Sequence, residues 1–286
     1  MPRVSVLTPS YNQARWLADN LRSVAAQTYP NIEHVVMDGG STDGSVEMLA
    51  AAPSSVVWKS ETDQGQSDAI NRAFAQSTGE IIGWLNSDDA YFSRDVVATA
   101  VDEFLARADV GVVYGHAALV NAAGTLLQIL WTPPFNKERI RSAYNPISQP
   151  TVFVRRSVIE RPFFVDRDFH YMMDRELWLY LSDRTPFHRI DRILAVDRHH
   201  PARKSYTLID VGTRDHEVLA HRYGVPPPGE QRLRIKLLKI AIRVAGASKI
   251  MEAAGKGDAF AHEPVSSVTL LARQLGQIRR SMPTEI

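Results

Sequence analysis

No cysteine occurs anywhere in the 286 residues. Disulfides, zinc–thiolate centres and thiol nucleophiles are therefore excluded, and a reducing compartment such as the cytosol is a natural setting. No stretch approaches the roughly 18 uncharged apolar residues that a membrane-spanning helix needs. The opening Met1-Pro-Arg3 leads into an apolar run shorter than the roughly 7–15 residues of a signal-peptide core. A cytoplasmic protein, soluble or lying on a membrane surface, is the expectation. No Gly-x-Gly-x-x-Gly follows the first predicted strand, which argues against a dinucleotide-dependent dehydrogenase. There is no internal repeat, and a 44% hydrophobic content makes a folded core the expectation rather than disorder.

A large excess of one charge is also missing, since the formal net charge is +1. That balance hides an asymmetry. Residues 1–90 hold eleven acidic side chains against five basic ones, whereas residues 231–250 hold six basic side chains and no acid. The two ends are expected to meet different partners, and neither has the look of a duplex DNA reader.

The first half alternates short β-branched runs with helical patterns, the mark of parallel strands joined by crossover helices. Strands are predicted at Val4 to Thr8, Ile32 to Met37, Val56 to Trp58, Ile81 to Leu85 and Val110 to Tyr114. Helices are predicted at Trp16 to Gln27, after the turn-rich Asp38–Gly44, at Ser67 to Gln76 closed by Gly79, and at Asp95 to Ala106 capped from Ser93 or Arg94. Asn121-Ala-Ala-Gly124 reads as a hairpin turn before Leu126 to Trp131. After Pro133-Pro134 a mixed pattern follows: a helix near Lys137 to Ala143, a strand Thr151 to Val154, a helix Asp174 to Leu181 and a strand Ile190 to Val196. Pro226-Pro-Pro-Gly229 reads as a linker. The expected organisation is one domain over 1–205, its nucleotide-binding half about 1–115 and its acceptor half about 116–205, with a helical C-terminal extension over 206–286.

Acids fall where strands end. Asp38 closes the second strand and Asp88-Asp89 the fourth, and in open α/β sheets the ligand crevice lies outside those ends. Helix capping is the competing reading, but Ser93 and Ser41 or Thr42 offer caps of their own and leave Asp88 and Asp89 free. Two adjacent carboxylates repel each other unless a cation sits between them and an anionic substrate. With no sulfur ligand available, Mg²⁺ or Mn²⁺ bridging a diphosphate suits that donor set.

Four segments carry a resemblance: Val4-Ser-Val-Leu-Thr-Pro-Ser-Tyr-Asn12, Val35-Val-Met-Asp-Gly-Gly-Ser-Thr-Asp-Gly44, Trp84-Leu-Asn-Ser-Asp-Asp89 and Met173-Asp-Arg-Glu-Leu-Trp178. In order and spacing they resemble the family 2 glycosyltransferases of the GT-A fold, of the kind that builds bacterial polysaccharide and lipopolysaccharide, over roughly residues 1 to 205. The resemblance implies an α/β, Rossmann-like single domain with a mostly parallel central sheet. It also implies a sugar-nucleotide donor, with a UDP-sugar favoured, a divalent cation, and inversion at the anomeric carbon. Position by position, Thr8, Pro9, Ser10 and Tyr11 are expected to border the nucleotide and Asp38 to bond the base. Asp63, Asp68 and Asn86 are expected to help hold the nucleotide sugar, and Asp88 to contact ribose or metal. Asp89 aligns with the metal-binding acid. The family commonly has Asp-Asp-Gly-Ser where this chain has Asp38-Gly-Gly-Ser, and an acid where it has Asn86.

Asp174 matches the family's general base, which takes the proton of the acceptor hydroxyl as it attacks. A carboxylate at a helix start suits that task, although an N-cap is the alternative use of the same residue. Glu176, two residues on, should point elsewhere and form a salt bridge or an acceptor contact. His199-His200-Pro-Ala-Arg203-Lys204 resembles the family's closing loop, with His200 expected on metal or phosphate and Lys204 on the diphosphate. Trp84 and Trp178 are either sugar-stacking or core residues, and His216 and His221 read as surface or packing residues. Competing classes are a sugar nucleotidyltransferase, whose glycine-rich basic N-terminal loop is missing here, and a catalytically inactive binding or scaffold module. In the extension, Arg232, Lys236, Lys239 and Arg243 form a basic stripe beside an apolar face over 231–244. That helix either packs on the domain or lies on an anionic membrane near a glycan or lipid-linked acceptor.

Overall fold

The computed structural model describes residues 1–142, 145–203 and 209–226. Its first half runs β1 (Val4–Ser10), α1 (Ala14–Ala25), β2 (Ile32–Asp38), α2 (Ser45–Ala50), β3 (Val56–Ser60), α3 (Gln66–Gln76) and β4 (Ile81–Trp84). Strand β1 pairs in parallel with β2 and β4, and β2 with β3. Each crossover is a helix, as parallel pairing requires. The expected strand–helix alternation is therefore present, with β1 running two residues past Thr8 and so delivering Pro9 and Ser10 to the sheet's carboxyl edge.

The second half holds β5 (Ala90–Tyr91), α4 (Val96–Ala106), β6 (Val112–Asn121), β7 (Leu126–Leu130), α5 (Lys137–Ser142), β8 (Phe153–Arg155), α6 (Met173–Ser182), β9 (Phe187–His199) and α7 (Ile209–Tyr223). All nine strands of the described residues share one sheet in the order β3-β2-β1-β4-β8-β6-β9-β5, with β7 on β6. Here the pairing is mixed: β8 is antiparallel to β4 and β6, β7 to β6 and β5 to β9, while β6 and β9 are parallel. The fold is the mixed α/β, Rossmann-like single domain that the GT-A resemblance implies, its antiparallel pairs gathered in the second half.

Successive strand residues reach opposite cores because side chains alternate across a pleated sheet. Leu7, Val35, Met37, Ile82, Trp84, Val112 and Tyr114 join Ile70 and Phe74 of α3 and Leu177 and Trp178 of α6. Val4, Val6, Ile81, Val113 and Phe153 turn the other way, onto Val24 of α1 and Val97, Val101 and Phe104 of α4. Val36 meets Leu17 and Leu49, which places α2 on that second face too. Burial on both faces explains the apolar runs of β1, β2 and β4, whereas the edge strand β3 is largely exposed. Trp178 is thus a core residue. Leu219 of α7 and Val225 are buried in the cluster that holds it, so the described stretch 209–226 packs directly on the domain.

Several local expectations are corrected. Gly79 does not terminate α3 through a left-handed turn. A Cβ there would stand 2.3 Å from Ser5 Oγ and 2.6 Å from Ser5 N, so glycine is required by close approach to β1. Asp95 rather than Ser93 or Arg94 stands at the N-cap of α4, with the Ser93 hydroxyl donating to the Asp95 carboxylate. Strand β6 continues to Asn121 across a register shift near His116, and β9 spans thirteen residues. The ends of β9 are polar, so its hydrophobic pattern marked only the middle, whereas backbone pairing with β6 extends it. The hairpin turn is as expected: Gly124, at φ +84°, donates its N–H to Asn121 O.

Candidate active site

Beyond the carboxyl ends of β1, β2 and β4 lies a cleft of about 860 Å³. Its first wall is the loop after β1. Asn12 adopts φ +51°, the left-handed region that Asn tolerates better than most side chains. Its side-chain oxygen accepts from Thr42 N, and its own N–H donates to Ser41 Oγ, tying this loop to the one after β2. Pro9, Ser10 and the largely exposed Tyr11 are thereby presented to the cleft. Thr8 is not: it is fully buried one turn of the pleat away, with Oγ1 2.9 Å from His34 Nε2. Burial pushes His34 down to about 3, so this is a neutral pair inside the sheet.

Asp38 lies at the end of β2, as expected, but its carboxylate is turned into its own loop. It accepts from Gly40 N, Ser41 N, Ser41 Oγ and Ser60 Oγ, all within 3.1 Å. Ser41 therefore braces Asp38 rather than capping α2, whose N-cap is Gly44. Gly39, not Asp38, lines the cleft, and the Cβ that Gly39 lacks would stand 2.9 Å from Asp63 Oδ2. The acid at this end of the cleft is Asp63, which also accepts from Gly65 N. Asp68 is likewise removed from the wall. It is buried and ion-paired with Arg72 and Arg167.

The loop after β4 behaves differently. Asn86, Ser87, Asp88 and Asp89 all line the cleft. The Asn86 side-chain oxygen accepts from Trp84 Nε1 and Gln66 Nε2, and its amide donates to Gln149 Oε1, so Trp84 serves as a buried brace. Asp88 Oδ2 stands 2.9 Å from His200 Nε2, and that ring, 2% exposed, lies on Trp16 at 4.0 Å between centroids. Asp89 Oδ1 accepts from Arg198 N. Burial raises the Asp89 carboxyl well above its ordinary value, and the nearby Asp88 and Asp197 raise it further against Arg203. The Arg203 guanidinium is correspondingly raised, because Asp197, Asp89 and Asp88 outweigh its own burial.

Asp174 enters the same cleft from the first turn of α6. It is not the N-cap, a position held by Met172 without a side-chain bond. Burial raises its carboxyl, opposed by the Arg175 N–H, the Arg175 charge and a 2.9 Å bond from Asn145 Nδ2. Glu176 turns into the core and forms a salt bridge there, as one of its two expected uses, with Arg161 holding it from both guanidinium ends at 2.8 and 2.9 Å. His216 packs through Nε2 against Pro226 O, and His221 is exposed.

Pro9, Ser10, Tyr11, Asp63, Asn86, Asp88, Asp89 and Asp174 are therefore brought together, with His200 directly behind Asp88. Thr8, Asp38 and Asp68 stay behind the wall, and Lys204 falls outside the described residues. Residues missed in the sequence include Asp197, Arg198, Gln149 and Asn145. Asp197 and Arg198 carried the same signal as Asp88, a charge just past the predicted end of a strand, although β9 continues through them to His199. Gln149 and Asn145 carried none.

For a divalent cation, Asp88, Asp89 and His200 supply oxygen and imidazole donors of suitable type, and His200 Nδ1 is buried without a hydrogen-bond partner. Among the described residues, no three His, Asp or Glu side chains are already grouped as a metal cage. No helix among the described residues is long and apolar enough to cross a membrane.

The sequence profile of the family described as glycosyl transferase family 2 matches residues 5–161. An uncharacterized glycosyltransferase of Mycobacterium tuberculosis is 32% identical over 180 residues, covering 62% of this chain and 68% of that protein. Among solved structures, Staphylococcus aureus TarS in complex with UDP-GlcNAc superposes with a TM-score of 0.54 at 18% identity, over 69% of this chain and 58% of the TarS chain. The mannosyltransferase PcManGT of Pyrobaculum calidifontis, in complex with GDP-Man and Mn²⁺, gives 0.56 at 22% identity, over 98% and 82%. At these identities the two structures speak for the fold.

Proposed function

The chain belongs to glycosyltransferase family 2, and from that premise we propose that it moves a sugar from a nucleoside diphosphate onto an acceptor hydroxyl with inversion at the anomeric carbon. The observation that supports this reading is that one cleft joins Asp88 and Asp89, from the loop after β4, with a half-buried acid, Asp174, from the first turn of α6. Pro9, Ser10, Tyr11, Gly39 and Asp63 form the part of the cleft suited to a nucleoside: an exposed aromatic ring, a backbone edge and a carboxylate acceptor. Asp88, Asp89 and His200 are the residues that would hold Mg²⁺ or Mn²⁺. When bound, such a cation offsets the charge of a leaving diphosphate. Arg203, held beside these acids, adds a fixed positive charge to the same region.

Asp174 is the group placed to accept the acceptor's proton. Its raised affinity for a proton, caused by burial, makes it a better base once ionised than an exposed carboxylate, and the Asn145 amide and the Arg175 N–H each hold one of its oxygens. A UDP-sugar is our favoured donor and a cell-surface glycan or lipid-linked precursor the favoured acceptor. The basic face of residues 231–244, which lies outside the described residues, is our candidate for reversible contact with an anionic inner membrane surface. Liposome sedimentation with and without anionic lipid tests that contact.

A scaffold module without activity would have no need of Asp88, Asp89 and Asp174 together in one cleft. Thermal shift against UDP-, GDP- and dTDP-sugars, each with Mn²⁺ and with chelator, tests the reading. One donor is expected to raise the melting temperature in a cation-dependent way, because ligand binding to the native state alone stabilises it. No response to any donor would overturn the proposal.

A further inference from the structure

Helix α7 lies beyond the stretch matched by the family profile, yet one of its faces holds the wall that carries Asp174. Gly212, Asp215, Leu219, Arg222 and Tyr223 fall at helical spacing on that face. A Cβ on Gly212 would stand 3.2 Å from the Tyr171 ring, so the helix and the loop are in close contact there. Asp215, 1% exposed, accepts through a single oxygen from His170 N, Tyr171 N and Met172 N at 3.0, 2.6 and 2.8 Å. Arg222 pairs with Asp166 and Asp168, and the Tyr223 hydroxyl donates to Glu176 Oε1. At its other edge the same segment is held by α3: Asn71 accepts from Phe164 N and Val165 N, and Ser67 Oγ donates to Phe169 O. Residues 164–172 thus form a strap fastened to the nucleotide half on one side and to α7 on the other.

The three amides that meet Asp215 are those of the residues just before α6, and Met172 is that helix's N-cap. Amides at a helix start have no partner within the helix, and here a carboxylate from a distant helix supplies one. His170, Tyr171 and Met172 line the cleft, whereas Asp215 does not.

We propose that Asp215 is a positioning residue: by gathering the amides of residues 170–172 it sets the entry angle of α6 and so the placement of Asp174, with Arg222 as a second clasp. The proposal rests on the transferase reading above. It implies that α7 governs the acceptor step and leaves the donor site alone.

The test compares wild type, Asp215→Ala, Asp215→Asn and Arg222→Ala as full chains. Donor affinity is measured by calorimetry with the donor found in the thermal-shift panel, turnover by transfer assay, and amide protection by hydrogen exchange. For Asp215→Ala, turnover should fall by about tenfold to a hundredfold, the usual cost of a displaced reacting group, with donor Kd within about twofold. Amides 170–172 should exchange about tenfold faster or more while those of β1 and β4 keep their protection. Asp215→Asn, which keeps an acceptor oxygen, should restore turnover to within about threefold. Arg222→Ala should shift turnover and exchange in the same direction by less, and it decides the question if Asp215→Ala fails to fold. Unchanged turnover, unchanged exchange, or donor affinity falling in step with turnover would overturn the proposal. A wild-type chain that transfers from no donor would count against the transferase reading itself, and the exchange measurement would still judge the strap.

Discussion

The loops after β2 and β4 both carry acid beyond a parallel strand, Asp38 as the last residue of β2 and Asp88 and Asp89 between Trp84, where β4 ends, and β5, and their chemistry diverges. At the first, Asp38 is followed by glycines and serines whose amides and hydroxyls fold back on it, so its carboxylate has four donors from its own surroundings. At the second, Asp89 is buried beside two more carboxylates and takes one close backbone donor, from Arg198. A hydrogen bond to a charged group contributes roughly 1.5–3 kcal/mol, so four of them readily fix the Asp38 side chain in place. Asp89 has fewer, and burial, with Asp88 and Asp197 beside it, raises its carboxyl. An acid at a strand end therefore marks a position. Whether that position holds a loop together or meets a ligand depends on how many donors surround it.

Asp174 falls with Asp89 in this comparison, since burial raises it too. The largest effect is expected there. Asp174→Asn should lower transfer by a factor on the order of 10²–10⁴, the usual contribution of a general base, and leave donor affinity nearly intact. Turnover and donor calorimetry on one preparation check it. Near-normal transfer by a folded variant would move Asp174 into the class of Asp38, a structural acid.

The next test sets the two loops against each other directly. Asp89→Asn should weaken cation-dependent donor binding by about tenfold to a hundredfold, as loss of a ligand or its neighbour does. The same change should raise the melting temperature in chelator, because it removes a buried carboxylate with few donors. Asp38→Ala should do the reverse, costing about 1–3 kcal/mol by leaving donors unsatisfied while preserving the cation dependence. If both variants behave alike, the distinction between the loops fails.

The smallest effect concerns pH. Asp89 has a folded-state value raised above the ordinary 3.8, so between those two values the native state binds more protons than the unfolded chain. Stability attributable to Asp89 is then fully present below 3.8 and is lost as pH rises through the raised value. Denaturant titrations of wild type and Asp89→Asn in chelator should show their difference growing in that window, to the disadvantage of wild type. Saturating Mn²⁺ should shrink it. A difference independent of pH would show that Asp89 is not held protonated.

How much of this was readable in advance varies with the kind of interaction. Strands β1, β2 and β4 were legible because burial on both faces writes apolar runs, the exposed edge strand β3 from its β-branched residues, and the helix carrying Asp174 from its apolar period. Strand β9 was marked only in its middle, since its polar ends are held by backbone pairing with β6, which leaves no mark on side-chain type. Tyr11, Asp88, Asp89 and Asp174, found through motif order, and Asp63, carried over from the resemblance, do line the cleft. Thr8 and Asp38 sat in the same motifs, and Asp68 came from the same resemblance, and they do not. A strand's pleat turns Thr8 inward, neighbouring hydroxyls capture Asp38, and two arginines capture Asp68.

By itself, then, the sequence determined the family, the order of strands and helices in the first half, and the acids that could meet a ligand, because these depend on residue type and spacing along the chain. Only the tertiary structure decided which acids are left with too few donors and which distant groups complete the wall. Asp197 reaches Arg203 beside Asp89, Gln149 reaches Asn86 across 63 positions, and Asp215 reaches the amides before α6 across more than 40. Such pairings depend on where the sheet and helices bring separate segments together, and no local pattern of residues records that distance.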